Sequence, residues 1–532
     1  VRYEDLVVSG RLAALPGVEA GRERFCADET RFAVALEPGT EIEVSLVLGA
    51  APRLGVAACL GDGEPGGSAP EDEPGGGGAA RAARLEVTAR GAAGLGSELR
   101  LPVDAAGWAE GALDLAALSG GGATLRLRPR SPDGRPVLVS GLWLRHLAEG
   151  GERRGGPPAR GGPQILLVSV DTLRADALEE GATPGLAAFA EGAERFDPHY
   201  ATASWTKPSH GSLLTGLPVE AHGAELEEQS LSPAAVTLAE RFSAGGFRTA
   251  GLVYDCLWLD PRFGFDRGFE EYRVVRWGAD QAARFTVSWI ARHRREPFFY
   301  FLHLFTPHSD MAILPYEAAG VSRATVAERF GLPGYGCRDG VCASSLLHAL
   351  NAGRVAPLPD EEAILRHLYA RGVETADRAL GRLFDDLDQL GLLDEMLVVV
   401  TSDHGEAFFE HGELLHTTVH EEVLRVPLLV RWPGGAGAGS LRTEPTSGID
   451  LAPTLLRAAG LDAEGLPGVA LQDPEAGSKR REVFAGTTRK AVVAGPWKAI
   501  FPVVEGSGTS PRLYRLDRDP GEHHDLAAEP RG

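Results

Sequence analysis

Four nearly continuous apolar runs, at residues 165–170, 297–305, 396–401 and 426–431, constrain this chain more than any other feature. A strand with one face in water alternates polar and apolar residues, whereas an unbroken apolar run reads as a strand buried on both faces. Helical patterns lie between the runs at 184–194, 234–245 and 360–390. Buried strands alternating with amphipathic helices predict an α/β fold around a mainly parallel sheet. Ligands of such folds sit beyond the carboxyl ends of the strands. Asp171 follows the first run, His308 the second, and Asp403 with His404 the third.

The chain has 532 residues, more than one hydrophobic core organises. Residues 1–148 carry short alternating segments at 32–36, 42–48, 83–88, 123–127 and 136–144, which predict a β-sandwich accessory domain. The Gly, Pro and acid-rich tract 61–78 reads as a loop, and 149–163 reads as a linker. A catalytic α/β domain is then expected over 164–433, and a small α+β subdomain over 434–532, with a helix at 451–459 and strands at 490–493 and 497–502.

The 53 basic against 74 acidic residues give a net charge of -21, which argues against nucleic acid as a partner. No stretch reaches the roughly 18 apolar residues of a membrane span. Five cysteines make no disulfide scaffold, although Cys337 and Cys342 bracket a turn short enough to bridge in an oxidising compartment. The sequence opens at Val1 without a charged-then-apolar leader, which leaves location open.

In Ser204-Trp205-Thr206-Lys207-Pro208-Ser209-His210 a hydroxyl residue and a proline mark a helix N-terminus, where backbone NH groups and the helix dipole favour an anion. A hydroxyl there becomes a nucleophile when a metal lowers its pKa; without one, Thr206 is an N-cap threonine with no other role. Asp171 in Val170-Asp171-Thr172-Leu173-Arg174-Ala175-Asp176 and the Thr401-Ser402-Asp403-His404-Gly405-Glu406 segment add oxygen and nitrogen ligands from other strand ends.

The order of these segments, followed by Glu410-His411-Gly412-Glu413-Leu414-Leu415-His416, Val426-Pro427-Leu428-Leu429-Val430-Arg431-Trp432-Pro433-Gly434 and Asp519-Pro520-Gly521-Glu522, resembles the sulfatase branch of the alkaline phosphatase superfamily over about residues 164–530. The resemblance implies an alkaline-phosphatase/sulfatase-like sandwich and an ester hydrolase. Three departures stand out. Sulfatases convert a Cys or Ser in CxPSR or SxPSR to formylglycine, but this chain has Thr206 there, which implies no formylglycine; the closing Arg is His210. The paired acids and the later Asp-Asn that surround calcium in that branch are Asp171-Thr172 and Asp403-His404. Asp171, Thr206, Asp403 and His404 thus form a ligand set suited to zinc or manganese rather than calcium.

The resemblance places His308 and His416 where they would bind non-bridging oxygens or protonate the leaving group. His308, Asp310 and His416 would alternatively complete a second metal site, although no Asp-x-x-x-His spacing precedes Asp403. Lys207 and His210, beside the nucleophile, are candidate contacts to the ester anion. His199, His222, His303 and His411 read as hydrogen-bonded loop or core residues, and Arg174 and Asp176 as supports of the Asp171 loop.

The expected function is metal-dependent hydrolysis of a small-molecule phosphate or phosphonate ester by a threonine nucleophile. The alternatives are a sulfuric ester hydrolase, a head-group phosphotransferase and a non-catalytic binding protein. Resemblance suggests a periplasmic or secreted location, with the cytoplasm left open, and nothing bears on oligomeric state.

Overall fold

The structure, a computed structural model, describes residues 22–26, 29–36, 42–47, 52–60, 83–91, 96–103, 109–114, 122–132, 137–146, 162–178, 181, 183–254, 256–275, 278–309, 314–316, 321–332, 335–338, 341–473, 482–485, 489–502 and 510–528. The expected loop at 61–78, the linker up to residue 161 and Asp310 lie outside them. Chain contacts define two compact units, one of Val1–Arg154 with Asp260–Gly264 and Val274–Trp277, the other of Gly155–Leu259, Phe265–Arg273 and Gly278–Gly532.

The first unit holds two antiparallel sheets. One orders Arg22–Cys26, Glu29–Leu36, Val137–His146, Pro52–Leu60 and Ala109–Asp114; the other orders Ile42–Val47, Gly122–Arg130, Arg84–Gly91 and Gly96–Pro102. Alternation is clean in Arg84–Gly91, where Leu85, Val87 and Ala89 are buried and Glu86 and Thr88 between them are not. The partner strand Gly96–Pro102 was not expected, because Gly, Ser and charged residues mask its alternation.

The second unit is built on an eight-stranded sheet. Its strands are β1 (Gln164–Val170), β2 (Glu194–Phe196), β3 (Arg248–Tyr254), β4 (Glu271–Val275), β5 (Phe298–Leu304), β6 (Met396–Thr401), β7 (Leu428–Arg431) and β8 (Leu441–Arg442), in the spatial order β4-β3-β5-β1-β6-β7-β2-β8. The β1, β3, β5 and β6 strands run parallel, and β7 is antiparallel to β6. All of β5 and β6 is buried, as both-face coverage requires. The fourth apolar run is shorter in the sheet than expected: Pro427, which has no NH to donate, separates β7 from the short strand Arg425–Val426.

The helices that matter here are α1 (Pro184–Glu191), α2 (Thr206–Thr215), α3 (Leu238–Ala244), α4 (Ala279–His293), α5 (Glu361–Gln389) and α6 (Leu451–Ala458). The start of α3 falls later than the pattern predicts, because Thr237 and Glu240 form a capping box there. The long α5 buries Ile364, Leu365, Leu368, Gly372, Val373 and Ala376 at helical spacing, and its Phe384 stacks on Phe189 of α1 at 4.1 Å.

The short α2 breaks the usual rule. Every residue in it is buried, although the sequence is Thr, Lys, Pro, Ser, His, Gly and Ser before two leucines and a threonine. Burying so polar a helix is costly unless its groups find partners, so its position is set by hydrogen bonds rather than by an apolar stripe.

A four-stranded antiparallel sheet, Glu482–Ala485, Arg489–Ala494, Trp497–Pro502 and Arg512–Arg515, closes the chain. Its Ala491, Val493, Ile500 and Tyr514 share a core with Tyr200, Val419 and Leu424. Cys337 and Cys342 are bridged across a two-stranded hairpin. Among the described residues, no helix is long and apolar enough to cross a membrane.

Candidate active site

The carboxyl ends of β1 and β6 deliver the first ligands. Past β1, the Asp171 NH still bonds Leu304 O of the neighbouring β5 at 2.8 Å, and Thr172 then turns at φ 56°, a left-handed conformation uncommon in a non-glycine residue. Cross-links from elsewhere hold that turn. Thr172 NH donates to Asp403 Oδ1 (3.3 Å), Leu173 NH donates to Ser402 Oγ (3.0 Å), and Tyr369 of α5 donates its hydroxyl to Thr172 O (2.8 Å). Arg174 donates to Glu406 O, Glu410 and Asp176 at 2.6–2.7 Å, the supporting part expected of Arg174 and Asp176.

Thr206 begins α2 with its side chain directed at both strand ends. Its Oγ1 lies 3.4 Å from Asp171 Oδ2 and 3.4 Å from His404 Nε2. Ser209, one turn on, donates to Asp403 O at 2.7 Å and ties the helix to the β6 end.

The protonation pattern at His404 follows from its partners. Its Nδ1 lies 2.9 Å from Gly405 O, an acceptor only, so Nδ1 carries the proton and Nε2 presents a lone pair. That lone pair faces Asp403 Oδ2 at 3.3 Å and Asp171 Oδ1 at 3.7 Å. Burial, with His416 nearby, lowers the His404 pKa to about 3, so the ring is neutral. Asp403 Oδ2 is buried and receives no hydrogen bond, even though nitrogens of His404 and His210 stand 3.3 and 3.5 Å away. A carboxylate oxygen and a neutral imidazole lone pair directed at one point repel unless a cation lies between them. Asp171, Asp403 and His404 offer ligand atoms all within 4.8 Å of one another, and this oxygen and nitrogen set fits a divalent cation.

His416 and His308 stand next to this group. The His416 ring centroid is 4.4 Å from that of His404 and 5.3 Å from that of His308. Its Nδ1 is 3.0 Å from Oε2 of the buried Glu406, whose other oxygen accepts the Tyr316 hydroxyl at 2.6 Å. His308 stacks on Phe305, and burial together with His416 and His404 holds its pKa well below the usual imidazole value.

The other expected contacts are engaged inside the protein. The buried Lys207 donates to the carbonyls of Glu227 (2.6 Å) and Gln229 (2.9 Å). His210 Nδ1 donates to Thr206 O (2.9 Å), and its Nε2 lies 3.0 Å from Ser169 Oγ. Burial lowers the His210 pKa, opposed by Asp403.

His303, read from the sequence as a hydrogen-bonded loop or core residue, is buried in β5 and places Nε2 3.2 Å from Asp171 Oδ2. The buried Cys256, past the end of β3, also lies within 4.8 Å of the Asp171 and His303 ligand atoms. Glu406, inside the Thr401–Glu406 segment, and Tyr316 have no role of their own in the sequence reading. For His303 the available signal was its place near the end of a run; for Glu406 it was adjacency to the Asp-His pair. A third cluster, His411, His420 and Glu522, lies elsewhere, and its Glu522 carboxylate is taken up by Lys498 (3.1 Å), His420 (3.0 Å) and the Glu421 NH (2.7 Å).

Residues 163–461 match the family model described as Sulfatase. Choline-sulfatase of Rhizobium meliloti is 32% identical over 179 residues, covering 31% of this chain and 34% of its own. A multifunctional alkaline phosphatase superfamily protein of Trinickia caryophylli, PehA, is 24% identical over 471 residues, covering 69% and 91%. The chain spans only 34–51% of the length of the first curated relatives it matches. Among solved structures, the phosphonate monoester hydrolase of Silicibacter pomeroyi superposes with a TM-score of 0.54 at 19% identity, over 69% of this chain and 92% of the other, a likeness of fold.

Proposed function

Because this chain belongs to the sulfatase family, whose members are metal-dependent, we propose that it hydrolyses phosphate or phosphonate esters with Thr206 as the nucleophile. The observation that carries this reading is Thr206 Oγ1 at 3.4 Å from both Asp171 Oδ2 and His404 Nε2, where formylglycine-forming sulfatases have a Cys or Ser. Asp171, Asp403, His404 and Thr206 would hold a divalent cation, zinc or manganese, which when bound lowers the hydroxyl pKa and offsets charge on the ester oxygens.

The residues then divide the work. Thr206 Oγ1, whose proton has passed to solvent before the ester binds and which re-forms as the alkoxide in each cycle, attacks phosphorus in line, so that a Thr206 O–P bond forms as the bond to the leaving oxygen breaks. His416, held through Nδ1 by Glu406, gives the leaving oxygen a proton from Nε2. In the second step the same nitrogen takes a proton from the water that cleaves the Thr206 ester, which regenerates both groups. His308 and the NH groups at the start of α2 face the non-bridging oxygens.

A threonine ester must be cleaved by water, a route open to phosphoesters, whereas formylglycine releases sulfate by collapse of its hemiacetal; this favours phosphorus over sulfur. We also propose 1–148 as an accessory domain, 149–163 as a linker, and 164–433 with 434–532 as the catalytic unit. An extracytoplasmic location is supported by the Cys337–Cys342 bridge.

The test is turnover of metal-quantified protein on aryl phosphate mono-, di- and triesters, an aryl phosphonate and an aryl sulfate, with Thr206→Ala as control. The expected result is preference for a phosphorus ester, loss of turnover on chelation, and loss in the variant. Preference for the sulfate, or full turnover by Thr206→Ala, would reject the reading.

A further inference from the structure

We propose that Asn351 is a positioning residue for His416: its carboxamide clamps the turn Leu414–Thr417 on both sides of that histidine and so fixes where the imidazole stands for proton transfer to the leaving oxygen. The proposal rests on the function inferred above and deepens it.

The turn has an uncommon backbone. Leu414–Leu415 is a two-residue strand paired with Ala407–Phe408, just past the Asp403-His404 segment. Leu415 takes φ 66°, in the left-handed region, where a bulky side chain persists only if its surroundings over-determine the conformation. His416 follows at once. Leu414 and Leu415 are buried, whereas the His416 side chain stays one-fifth exposed. The contact from Glu406 to Nδ1 decides which ring nitrogen is left for a substrate. Where that nitrogen lies depends on the turn that carries the residue.

Asn351 supplies the turn with partners from another element. Its Oδ1 accepts the Leu414 NH at 2.8 Å, and its Nδ2 donates to Thr417 Oγ1 at 3.3 Å. One side chain thus reaches the residue two before His416 and the residue one after it. A backbone donor and a hydroxyl acceptor on either side call for an acceptor and a donor at one tip, which a carboxamide has. The Thr417 hydroxyl in turn donates to Glu413 Oε2 at 3.2 Å, and Glu413 Oε1 pairs with Arg489 at 2.5 Å. The network therefore ties the turn to a helix at one end and to the closing four-stranded sheet at the other.

The helix that carries Asn351 is itself anchored. It spans Ala343–Asn351 and buries Leu346, Leu347 and Leu350, with Asn351 as its last residue. Cys342, just before its first residue, is bridged to Cys337, and Tyr335 beside that hairpin donates to Glu361 at the start of α5 at 2.6 Å. A side chain on an element fixed in this way holds its partner in place before any ligand arrives.

The experiment uses the full chain with Asn351→Leu, which removes both hydrogen bonds at similar size, and Asn351→Asp, which keeps an acceptor for the Leu414 NH. Amide exchange followed by mass spectrometry is expected to be about tenfold faster at Leu414 in Asn351→Leu and close to the parent in Asn351→Asp. Turnover is read on the phosphorus ester that the parent prefers, as its ethyl and 4-nitrophenyl forms. Asn351→Leu is expected to lower kcat about tenfold on the ethyl ester at unchanged KM, with little loss on the 4-nitrophenyl ester, and Asn351→Asp to recover most of it. Unchanged exchange at Leu414, an unchanged kcat on the ethyl ester, or an equal loss on both esters would overturn the proposal. If the parent hydrolyses no ester, the hydrolase reading fails and exchange decides the clamp by itself: faster exchange in Asn351→Leu, restored in Asn351→Asp, supports it, and unchanged exchange rejects it.

Discussion

His303 Nε2 meets Asp171 Oδ2 at 3.2 Å, joining residues 132 positions apart in a fully buried contact. The imidazole is neutral, because burial, with His210 nearby, holds its pKa well below the usual value. In the proposed metal site His303 is the hydrogen-bonded neighbour of the Asp171 carboxylate and sets its direction. His303→Ala is expected to weaken metal binding about 10–100-fold with secondary structure retained, and His303→Gln to recover part of it. Titration with a metal indicator measures both; unchanged affinity in His303→Ala would remove His303 from the site.

In the proposed mechanism Glu406 acts through His416, whose Nδ1 it contacts. With Nδ1 held at 3.0 Å, the opposite ring nitrogen is the one available to a leaving oxygen. Glu406→Gln is expected to lower kcat about 10²-fold on an alkyl ester, which needs the proton, and much less on a 4-nitrophenyl ester, which leaves without it. An equal loss on both esters would mean a structural role only.

Gly405 carries His404 past β6 with its backbone pressed against another chain segment. A Cβ there would collide with Glu422 O, while the Gly405 NH is tied to Val423 O at 2.7 Å. Both neighbours are backbone, so neither yields as a side-chain tip would. Gly405→Ala is expected to cost about 1–3 kcal/mol of stability, seen as a lower denaturation midpoint, together with a loss of metal affinity.

Glu422 makes stability depend on pH. Burial raises its folded-state pKa from 4.5 to about 7, so the folded protein holds this proton more tightly than the unfolded chain. The stability contributed is fully present below about 4.5 and is lost as pH rises to about 7, a fall of ~3 kcal/mol at most. Glu422→Gln cannot lose a proton. Its melting temperature relative to the parent is therefore expected to be higher at pH 8 than at pH 5, and a difference independent of pH would show that Glu422 does not titrate in that window.

Much of this protein was legible along the chain. Val168, Leu302 and Val400 belong to runs whose burial on both faces is a local property, and a strand buried in that way needs helices on each side. The ends of those strands then name Asp171, Asp403 and His404 as neighbours, and the hydroxyl-proline segment names Thr206. Each of these inferences uses residues a few positions apart, so sequence order carries them. Pro427 and the capping box at Thr237 shifted element ends by a few residues without altering the plan.

Tertiary structure alone decided which polar side chains face the site and which serve the interior. Lys207 is one residue from Thr206, yet its ammonium is anchored on Glu227 and Gln229, while the ring of the distant Trp258 lies 5.5 Å from that ammonium. His303 and His210 are separated by most of the distance between β1 and β5 in the chain, and their rings stand 5.0 Å apart. A strand end fixes where a residue sits, but the direction of a long side chain follows from partners brought close only when sheet and helices pack. Hence the chain by itself determined the fold and the residue types at its strand ends, and the packing of α2 and α5 onto those ends decided which of them act together.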